Sequence, residues 1–580
     1  MTDLHLKTAL RPAAFKLSAD ENRHTDPALM NGTGVSRIVC GRNDDAALQL
    51  LVCAEHAFAL QLDGSPWFSQ NNTLPTVRAA LTAPFAAEMS HIDLHIINDG
   101  TYRADALLHS TAAEIPADEV SSVYITMHIP ADTAPGEYPC RLRFYSALGI
   151  RDETLLCETA FTVEVRAFVF PDAKNNGFHL DLWQHCSNLA RKHEVPLWSD
   201  AHFEVLEKYV RSLADLGVKC VTVVASEIPW NGQWCYTMPQ KANLYEYSMI
   251  GVTRTADGTF IYDYTPMQRY IDLCAKYGID ECISIYGLAN VWRTQAYLAD
   301  GEIANEDYPD GMHIRYFDAS DGTYRYLRRG EDIDAYIRAL EQYFITTGQI
   351  DRVRIAADEP SVLEPFQKSL SRLHENAPAF RCKTACNLPE FIDAFEHLMD
   401  DFIFDIDTVA DRFDELQAAF AAHPDKRFLY YVCCGPDYPN MFLKSELVES
   451  YFLGIYASFA NLAGFLRWDY TVFCDNPREN SIVGNWNNGD THFVYPAKDG
   501  KPLLTLRWHA LKRGIRFYVL LEALKKQGFT DAYSAAVARV MRVTDQGRLI
   551  HNEDKRDSFS CDIADYEALW EDLLDMVSDR

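Results

Sequence analysis

The sequence predicts an α/β protein in which a (β/α)8 TIM barrel follows an N-terminal antiparallel β-sandwich and precedes C-terminal helices. Short β-rich runs alternate with turn signals over residues 35–168, and eight apolar runs separated by helix-length amphipathic stretches follow residue 177. At 580 residues the chain is also too long for one core. We therefore expect a sandwich domain over 1–172, a barrel over 173–528 and a helical segment over 529–580.

The sandwich prediction rests on the rhythm of its β-rich runs. They are "LQLLVC", "FALQL", "IDLHII", "VYITMHI", "CRLRFYS" and "TAFTVEVRAFVF". The segment "FPDAKNNG" at 170–177 is interpreted as a linker, because Pro, Asn and Gly interrupt regular strand pairing.

The barrel prediction rests on a count. The eight apolar runs are "FHLDLW" (178–183), "CVTVVAS" (220–226), "ECISIYG" (281–287), "VRIAADE" (353–359), "CKTACN" (382–387), "DFIFDID" (401–407), "FLYYVCC" (428–434) and "GFLRWDY" (464–470). A doubly wound sheet also alternates strands and helices, but eight runs close a barrel. Between them, "SDAHFEVLEKYVRSLADLG" has Ser199 or Asp200 as its N-cap and Gly217 as its stop. A helix in "PLLTLRWHALKRGIRFYVLLEALKKQG" would complete the ring.

Composition excludes several classes of partner. With 54 basic and 83 acidic residues the formal charge is −29, which opposes binding to nucleic acid or to an anionic membrane. The fifteen cysteines lie mostly in apolar runs without C-x-x-C spacing, which indicates free thiols in a reducing compartment. No secretory leader pattern and no uncharged membrane-length stretch occurs, so we expect a cytoplasmic protein.

Nearly every barrel run ends in polar or aromatic residues. The active site of such a barrel lies at these C-terminal ends of the strands. These residues are Asp181, Trp183, Ser226, Glu227, Tyr286, Asp358, Glu359, Asn387, Asp405, Asp407, Tyr430, Tyr431, Trp468, Asp469 and Tyr470. A mouth with acids, amides and aromatic faces but no cationic cluster suits a neutral polyhydroxylated ligand. The predicted ligand is therefore a carbohydrate.

The adjacent acids Asp358 and Glu359 end the fourth run. Successive strand residues face opposite sides, so both acids reach one substrate only if the chain bends there, and Pro360 is expected to hold Glu359 in extended or polyproline dihedrals. Two crowded carboxylates do not both ionise freely, which leaves an acid beside a base, as glycoside cleavage requires. The alternative is that the pair only begins a helix.

Other chemistries lack their motifs. There is no G-x-S-x-G elbow, phosphate-binding loop, H-E-x-x-H helix or nucleotide fingerprint. His179 near Asp181, and His185 with Cys186, are interpreted as polar barrel lining rather than metal ligands. We expect neither metal nor cofactor.

The sequence resembles glycoside hydrolase family 123 and its wider group of uncharacterised relatives over nearly its whole length. The resemblance is carried by "LDLWQHCSNLARKHEVPLWSDAHF", "DGTFIYDYTPMQRYID", "ADEPS", "YYVCCGPDYPNMFLKS", "GFLRWDY" and "GDTHFVYP", in this order. Characterised members are retaining β-N-acetylgalactosaminidases in which the substrate's acetamido carbonyl is the nucleophile. The resemblance implies that Asp358 orients that group and stabilises the oxazolinium, and that Glu359 is the acid and then the base.

The resemblance also implies a pocket for the sugar. Trp468 would be the stacking wall with Arg467 and Asp469 beside it, and Trp183, Tyr431 and Asn440 would line the rest; Asp181 and Tyr286 complete the predicted substrate-binding set. Two alternatives stay open: a glycosidase with an enzymic nucleophile, Asp469 or Glu446, acting on a sugar without the acetamide, and a carbohydrate-binding protein without catalysis. The sequence also leaves a homodimer open.

Overall fold

The computed structural model describes most of the chain. The described residues are 4–32, 34–62, 74–147, 153–229, 245–289, 312–360, 363–481, 486–542 and 555–578. Every cysteine within these ranges is a free thiol. No helix within them is long and apolar enough to cross a membrane.

The N-terminal part is a sandwich of two six-stranded sheets. In spatial order, the first sheet contains Lys7–Pro12, Asp44–Cys53, Ser121–Ile129, Ala86–Ile96, Tyr102–Leu107 and Ser18–Ala19. The second contains Arg37–Arg42, Thr154–Val169, Gly136–Ala147, Thr76–Thr82, Phe58–Gln61 and Ala112–Ile115. Most neighbours are antiparallel, as predicted, but Arg37–Arg42 and Phe58–Gln61 each run parallel to one neighbour.

The barrel contains all eight predicted strands. In chain order these barrel strands one to eight are His179–Leu182, Cys220–Val224, Cys282–Tyr286, Val353–Asp358, Arg381–Cys386, Met399–Asp405, Arg427–Tyr431 and Gly464–Arg467. All neighbouring pairs are parallel, with strand eight beside strand one. Strands one and two are joined by a bridge from Leu180 to Val218 and by the 2.9 Å bond from Lys219 N–H to the Leu180 carbonyl. The side chain of Gln184 adds a bond, accepting the Thr222 N–H at 2.7 Å.

Helices cover the outside of the barrel, and further helices follow the last barrel strand toward the C-terminus of the chain. Their bounds are Cys186–Lys192, Asp200–Leu216, Thr265–Lys276, Gly330–Thr346, Leu363–Asn376, Phe391–Phe395, Ile406–Asp411, Phe413–Ala422, Leu447–Phe459, Leu506–Lys526, Thr530–Ala538 and Ile563–Ser578. Ser199 caps the second of these through the N–H of His202, and Gly217 ends it at φ = 92°, as the sequence predicts.

A small four-stranded sheet stands out from the barrel after strands two and three. It contains Phe260–Asp263, Gly251–Arg254, Arg315–Asp318 and Thr323–Tyr326. Its strands have four residues each and few of those residues are buried, so their apolar pattern was too weak to predict them.

The sandwich and the barrel share one hydrophobic core. Leu51 and Val39 of the sandwich belong to the same buried cluster as Phe517 and Leu520 of the Leu506–Lys526 helix. The second sandwich cluster, around Leu48 and Phe144, lies between the two sheets. The sandwich therefore packs directly against the barrel's outer helices.

Candidate active site

The barrel lumen is lined by small and medium apolar side chains below its mouth. Ala356, Ala385, Ile403, Leu429 and Leu466 form one buried cluster. On strand four, Ile355 and Ala357 belong instead to the outer core. Because strand side chains alternate, Asp358 shares the inward face with Ala356 and faces the mouth.

Glu359 is turned toward the same mouth by its backbone. Its φ is +40°, in the left-handed region, so the extended backbone expected from Pro360 is wrong. The bend is held by the 2.9 Å bond from Glu359 N–H to the Ala385 carbonyl, and the Tyr431 hydroxyl donates to the Glu359 carboxylate. Tyr431 belongs to the inward cluster. A conformation that is rare for non-glycine residues therefore places Glu359 on the lumen side.

The environment of Glu359 favours its protonated form. Burial raises the pKa of Glu359, the hydrogen bond from Tyr431 lowers it, and the nearby charge of Asp405 raises it further. Asp405 caps the Ile406–Asp411 helix by accepting the Thr408 N–H at 2.8 Å. The raised pKa makes Glu359 a better proton donor than an exposed glutamate.

Aromatic rings line the mouth of the barrel. Trp183 and Tyr286 meet edge to face, with centroids 5.0 Å apart, and both lie in the inward cluster with Tyr431. Trp468 packs against this cluster, and its ring centroid lies 5.7 Å from that of Trp486. The mouth thus combines carboxylates with aromatic faces, a combination that suits sugar rings.

A buried charged group supports Trp468 from behind. Arg467 Nη2 lies 3.0 Å from Asp490 Oδ1, Arg467 Nε lies 3.2 Å from Asp469 Oδ1, and Trp468 Nε1 donates to Asp490 Oδ1 at 3.3 Å. Arg467, Asp469 and Asp490 are completely buried. Burial raises the pKa of both carboxyl groups against the opposing effect of Arg467. Arg507 also acts to lower both of these pKa values, so two guanidinium groups oppose the effect of burial at this site.

Asn440 holds the loop beside this group. Its side-chain amide donates to the carbonyls of Cys433 at 3.1 Å and Pro436 at 2.7 Å, and its oxygen accepts from Arg467 at 3.3 Å. Its backbone N–H donates to Glu449 at 2.9 Å. The structure therefore places Asn440 in the support of the mouth, with both polar atoms of its side chain bonded to protein groups.

Asp181 lies deeper in the lumen, where it forms a buried ion pair with Lys383. Burial acts to lower the pKa of Lys383, but the charge of Asp181 and its other neighbours outweigh burial and raise that pKa. This pair forms part of the floor of the barrel, below Trp183.

Sequence reasoning missed three residues of the site. Asp490 and Trp486 lie in the loop after strand eight rather than at a strand end, although Asp490 falls in the quoted "GDTHFVYP". Lys383 lies inside a strand between Cys382 and Thr384, so it is not among the strand-end residues that were considered. The alternation of strand five, which turns Lys383 inward with Ala385, was the available clue.

Two carboxylates named as alternative nucleophiles lie away from the lumen. Asp469 is completely buried beside Arg467. Glu446 is the N-cap of the Leu447–Phe459 helix and donates its backbone N–H to Glu449 at 2.7 Å. Within the described ranges, no group of three or more metal-ligating side chains is assembled.

The family described as "Glycoside hydrolase 123, catalytic domain" matches residues 183–524, which is more than half of the chain. The chain belongs to glycoside hydrolase family 123. As a member of family 123 it is a glycoside hydrolase, and its substrates are carbohydrates or glycoconjugates. The matched region begins at Trp183 and includes every barrel strand from the second to the eighth.

One solved structure has the same fold over nearly the whole chain. A family 123 glycoside hydrolase from Clostridium perfringens, studied for glycolipid glycan hydrolysis, is 18% identical, with 99% of this chain and 98% of that chain covered and a TM-score of 0.73. A cyclomaltodextrinase (11% identity, 84% of each chain, TM-score 0.33) and a β-D-glucuronidase from Dictyoglomus thermophilum (9% identity, 84% and 72%, TM-score 0.30) are far less similar. No curated protein matches the chain.

Proposed function

We propose that this family 123 protein is a retaining, exo-acting β-N-acetylgalactosaminidase that uses the substrate's 2-acetamido group as its nucleophile. One observation carries the proposal: Asp358 is on the inward face of strand four, and the bend at Glu359 directs the second acid to the same side. Two adjacent acids can serve two neighbouring groups of one substrate, the glycosidic oxygen and the 2-acetamido group, and this division suits attack by the acetamido carbonyl.

The two acids divide the reaction between them. Glu359, whose pKa is raised by burial, donates its proton to the glycosidic oxygen while the acetamido carbonyl attacks the anomeric carbon. Asp358 orients the acetamido N–H and stabilises the positive charge of the oxazolinium ring. Glu359, now ionised, then removes a proton from the water that opens the ring.

The remaining predicted binding residues take two kinds of role in this proposal. Trp183, Tyr286, Tyr431 and Trp468 line the mouth and contact the sugar. Asp181, Asn440, Arg467 and Asp469 act from below or behind, by fixing the floor and the wall that carries Trp468.

Hydrolysis of an aryl β-N-acetylgalactosaminide tests the proposal directly. We expect release of the phenol by the wild type and a loss of roughly 10²–10⁴-fold in kcat/KM for Glu359→Gln, the size typical of a general acid. The loss should be smaller for a substrate whose leaving phenol is strongly acidic. Glu364→Gln, on the exposed start of the next helix, is the matched control and should retain its rate. Equal rates for Glu359→Gln and the wild type would refute the assignment.

Inhibition separates this mechanism from an enzymic nucleophile. A thiazoline analogue of the oxazoline should bind tightly, because the site is complementary to that ring. Asp358→Asn should weaken thiazoline binding and lower kcat together. Weak thiazoline binding with hydrolysis of glycosides that lack the acetamide would favour the alternative, and glycan binding by calorimetry without any turnover would leave a binding protein.

A further inference from the structure

Two neighbouring thiols lie at the barrel mouth. Cys433 and Cys434 follow barrel strand seven, two and three residues beyond Tyr431. Cys434 is exposed and Cys433 is half-buried, and their sulfur atoms are 3.6 Å apart. Cys433 packs against the cluster that contains Trp183, Tyr286 and Tyr431. The pair therefore combines solvent access with contact to the walls of the candidate active site.

Other cysteines of the described chain differ in burial or in spacing. Cys220 and Cys282 are also neighbours, on barrel strands two and three, but both are buried in the lumen. Cys157 and Cys561 are partly exposed, like Cys433. These four thiols provide natural comparisons for the pair at the mouth.

The two mouth thiols are chemically unequal. The hydrogen bond with Cys433 lowers the pKa of Cys434, while that same bond, followed by burial, raises the pKa of Cys433. The thiolate is the reactive form of cysteine. Cys434 is thus the sulfur that attacks an incoming electrophile first, and Cys433 supplies the second sulfur.

The distance between the two sulfur atoms indicates which kind of bond the pair can form. A disulfide needs an S–S distance of about 2.05 Å and Cα atoms about 4.4–6.8 Å apart, whereas adjacent Cα atoms lie about 3.8 Å apart. A direct bond between neighbours is therefore disfavoured. One atom that bonds both sulfurs accepts the wider 3.6 Å spacing.

We propose that Cys433 and Cys434 form a dithiol site for trivalent arsenicals, and that occupation of this site blocks the active-site mouth. With phenylarsine oxide, each sulfur forms a bond to arsenic, the arsenic–oxygen bonds break, and the oxygen leaves as water with the two thiol protons. Arsenic stays trivalent, so no oxidant or reductant is needed. The bound phenyl group then occupies space beside Trp183 and Tyr431.

Intact-mass measurement of the full chain with phenylarsine oxide tests the site. We expect one adduct, equal to one reagent less one water, that is removed by 2,3-dimercaptopropanol and resists excess monothiol. Cys433→Ala and Cys434→Ala should each abolish the monothiol-resistant adduct. Cys157→Ala and Cys561→Ala are matched controls and should retain it. Persistence of the adduct in Cys434→Ala would assign it to another pair, such as Cys220 and Cys282, and overturn the proposal.

Measurements of turnover test whether the bound arsenical blocks the active-site mouth. Only this part of the proposal rests on the proposed function. Treated wild type should lose most of its hydrolysis of the aryl glycoside and regain it with 2,3-dimercaptopropanol, whereas treated Cys434→Ala should keep its own untreated rate. An adduct that leaves wild-type turnover unchanged would refute the blocking. The mass result does not depend on hydrolysis, so failure of the proposed function and failure of the dithiol site give different outcomes.

Discussion

At the scale of single residues, the proposed chemistry depends on the acidity of one carboxyl group. Burial raises the pKa of Glu359, and the hydroxyl of Tyr431 works in the opposite direction by donating to the ionised form. The same hydrogen bond also fixes the side chain on the lumen side of its left-handed backbone. Tyr431 therefore sets both the position and the acidity of the proposed general acid.

Removing this hydroxyl should shift the pH profile. In Tyr431→Phe the bond that lowers the pKa of Glu359 is lost, so that pKa rises. A general acid works below its pKa, and the basic limb of kcat/KM should therefore move to higher pH. Tyr430→Phe is the matched control, because Tyr430 faces the outer core and donates to the Leu453 carbonyl. A basic limb that moves to lower pH in Tyr431→Phe would contradict this role.

At the scale of elements, two helices cross at unusually close range. A Cβ added to Gly514 of the Leu506–Lys526 helix would lie 2.2 Å from the Ser450 carbonyl oxygen, and one added to Gly454 would lie 1.9 Å from the Gly514 carbonyl oxygen. Glycine costs about 1 kcal/mol relative to alanine within a helix. The close approach of the two backbones explains why both helices carry it.

Gly514→Ala should therefore destabilise the protein despite its better helix propensity. We expect a loss of about 1–3 kcal/mol in the free energy of unfolding, because overpacking forces the helices apart. Denaturant unfolding measures it. Gly34→Ala is the control, since its added Cβ would be 3.9 Å from the nearest atom, the Leu10 carbonyl oxygen. Greater stability of Gly514→Ala would show that the helices separate without cost.

The start of the Leu447–Phe459 helix should make stability depend on pH. Burial raises the pKa of Glu449 to about 8, against the backbone N–H groups of Asn440 and Glu446 that lower it. Between its unfolded value near 4.5 and about 8, the folded state binds the proton that the unfolded state has lost. Stability from this group is thus full at low pH and is lost as the pH rises through about 8.

Substitution of Glu449 isolates that contribution. Glu449→Gln cannot ionise, so the fall in the free energy of unfolding from about pH 5 to about pH 8 should be smaller than in the wild type. Urea unfolding at several pH values measures the difference between the two proteins. An equal fall in both would show that Glu449 does not titrate in this range.

At the scale of the whole molecule, a residue of the sandwich helps to hold the loops that support the candidate active site. Arg507 is buried and pairs with Asp105 of the sandwich, with Nη2 2.9 Å from Oδ2. Its Nη1 donates to the carbonyls of Gly489 at 2.9 Å and Met441 at 3.2 Å. These carbonyls adjoin Asp490 and Asn440, which hold the wall behind Trp468. The sandwich thereby orders two loops of the barrel mouth.

Asp105→Asn should lower turnover as well as stability. Breaking a buried pair costs about 3–5 kcal/mol, and a wall displaced by about 1 Å lowers rates by up to about 10²-fold. We therefore expect a fall in kcat at temperatures where the variant remains folded. Lys512→Gln removes another ion pair between the sandwich and the same helix, that with Asp45, and is the control. An unchanged kcat in folded Asp105→Asn would limit Asp105 to a structural role.

Much of the fold and part of the candidate site could be predicted from local periodicity and local chemistry in the sequence. The eight apolar runs correspond to the eight barrel strands, and Ser199 and Gly217 bound their helix as predicted. The adjacent acids at the end of strand four were visible for the same reason: strand ends and caps depend on neighbours in the chain. The four-residue strands after strands two and three were not predicted, because such short segments carry little periodic signal.

Contacts between distant residues decided the rest. The left-handed bend at Glu359, opposite to the effect expected from Pro360, is held by Ala385 and Tyr431. Asp490 meets Arg467 only because the loop after strand eight folds back on the barrel, and Asp105 reaches Arg507 across 402 positions of sequence. Sequence patterns report each residue's local preferences, whereas these positions depend on packing that brings separate elements together, and only the tertiary structure supplies it.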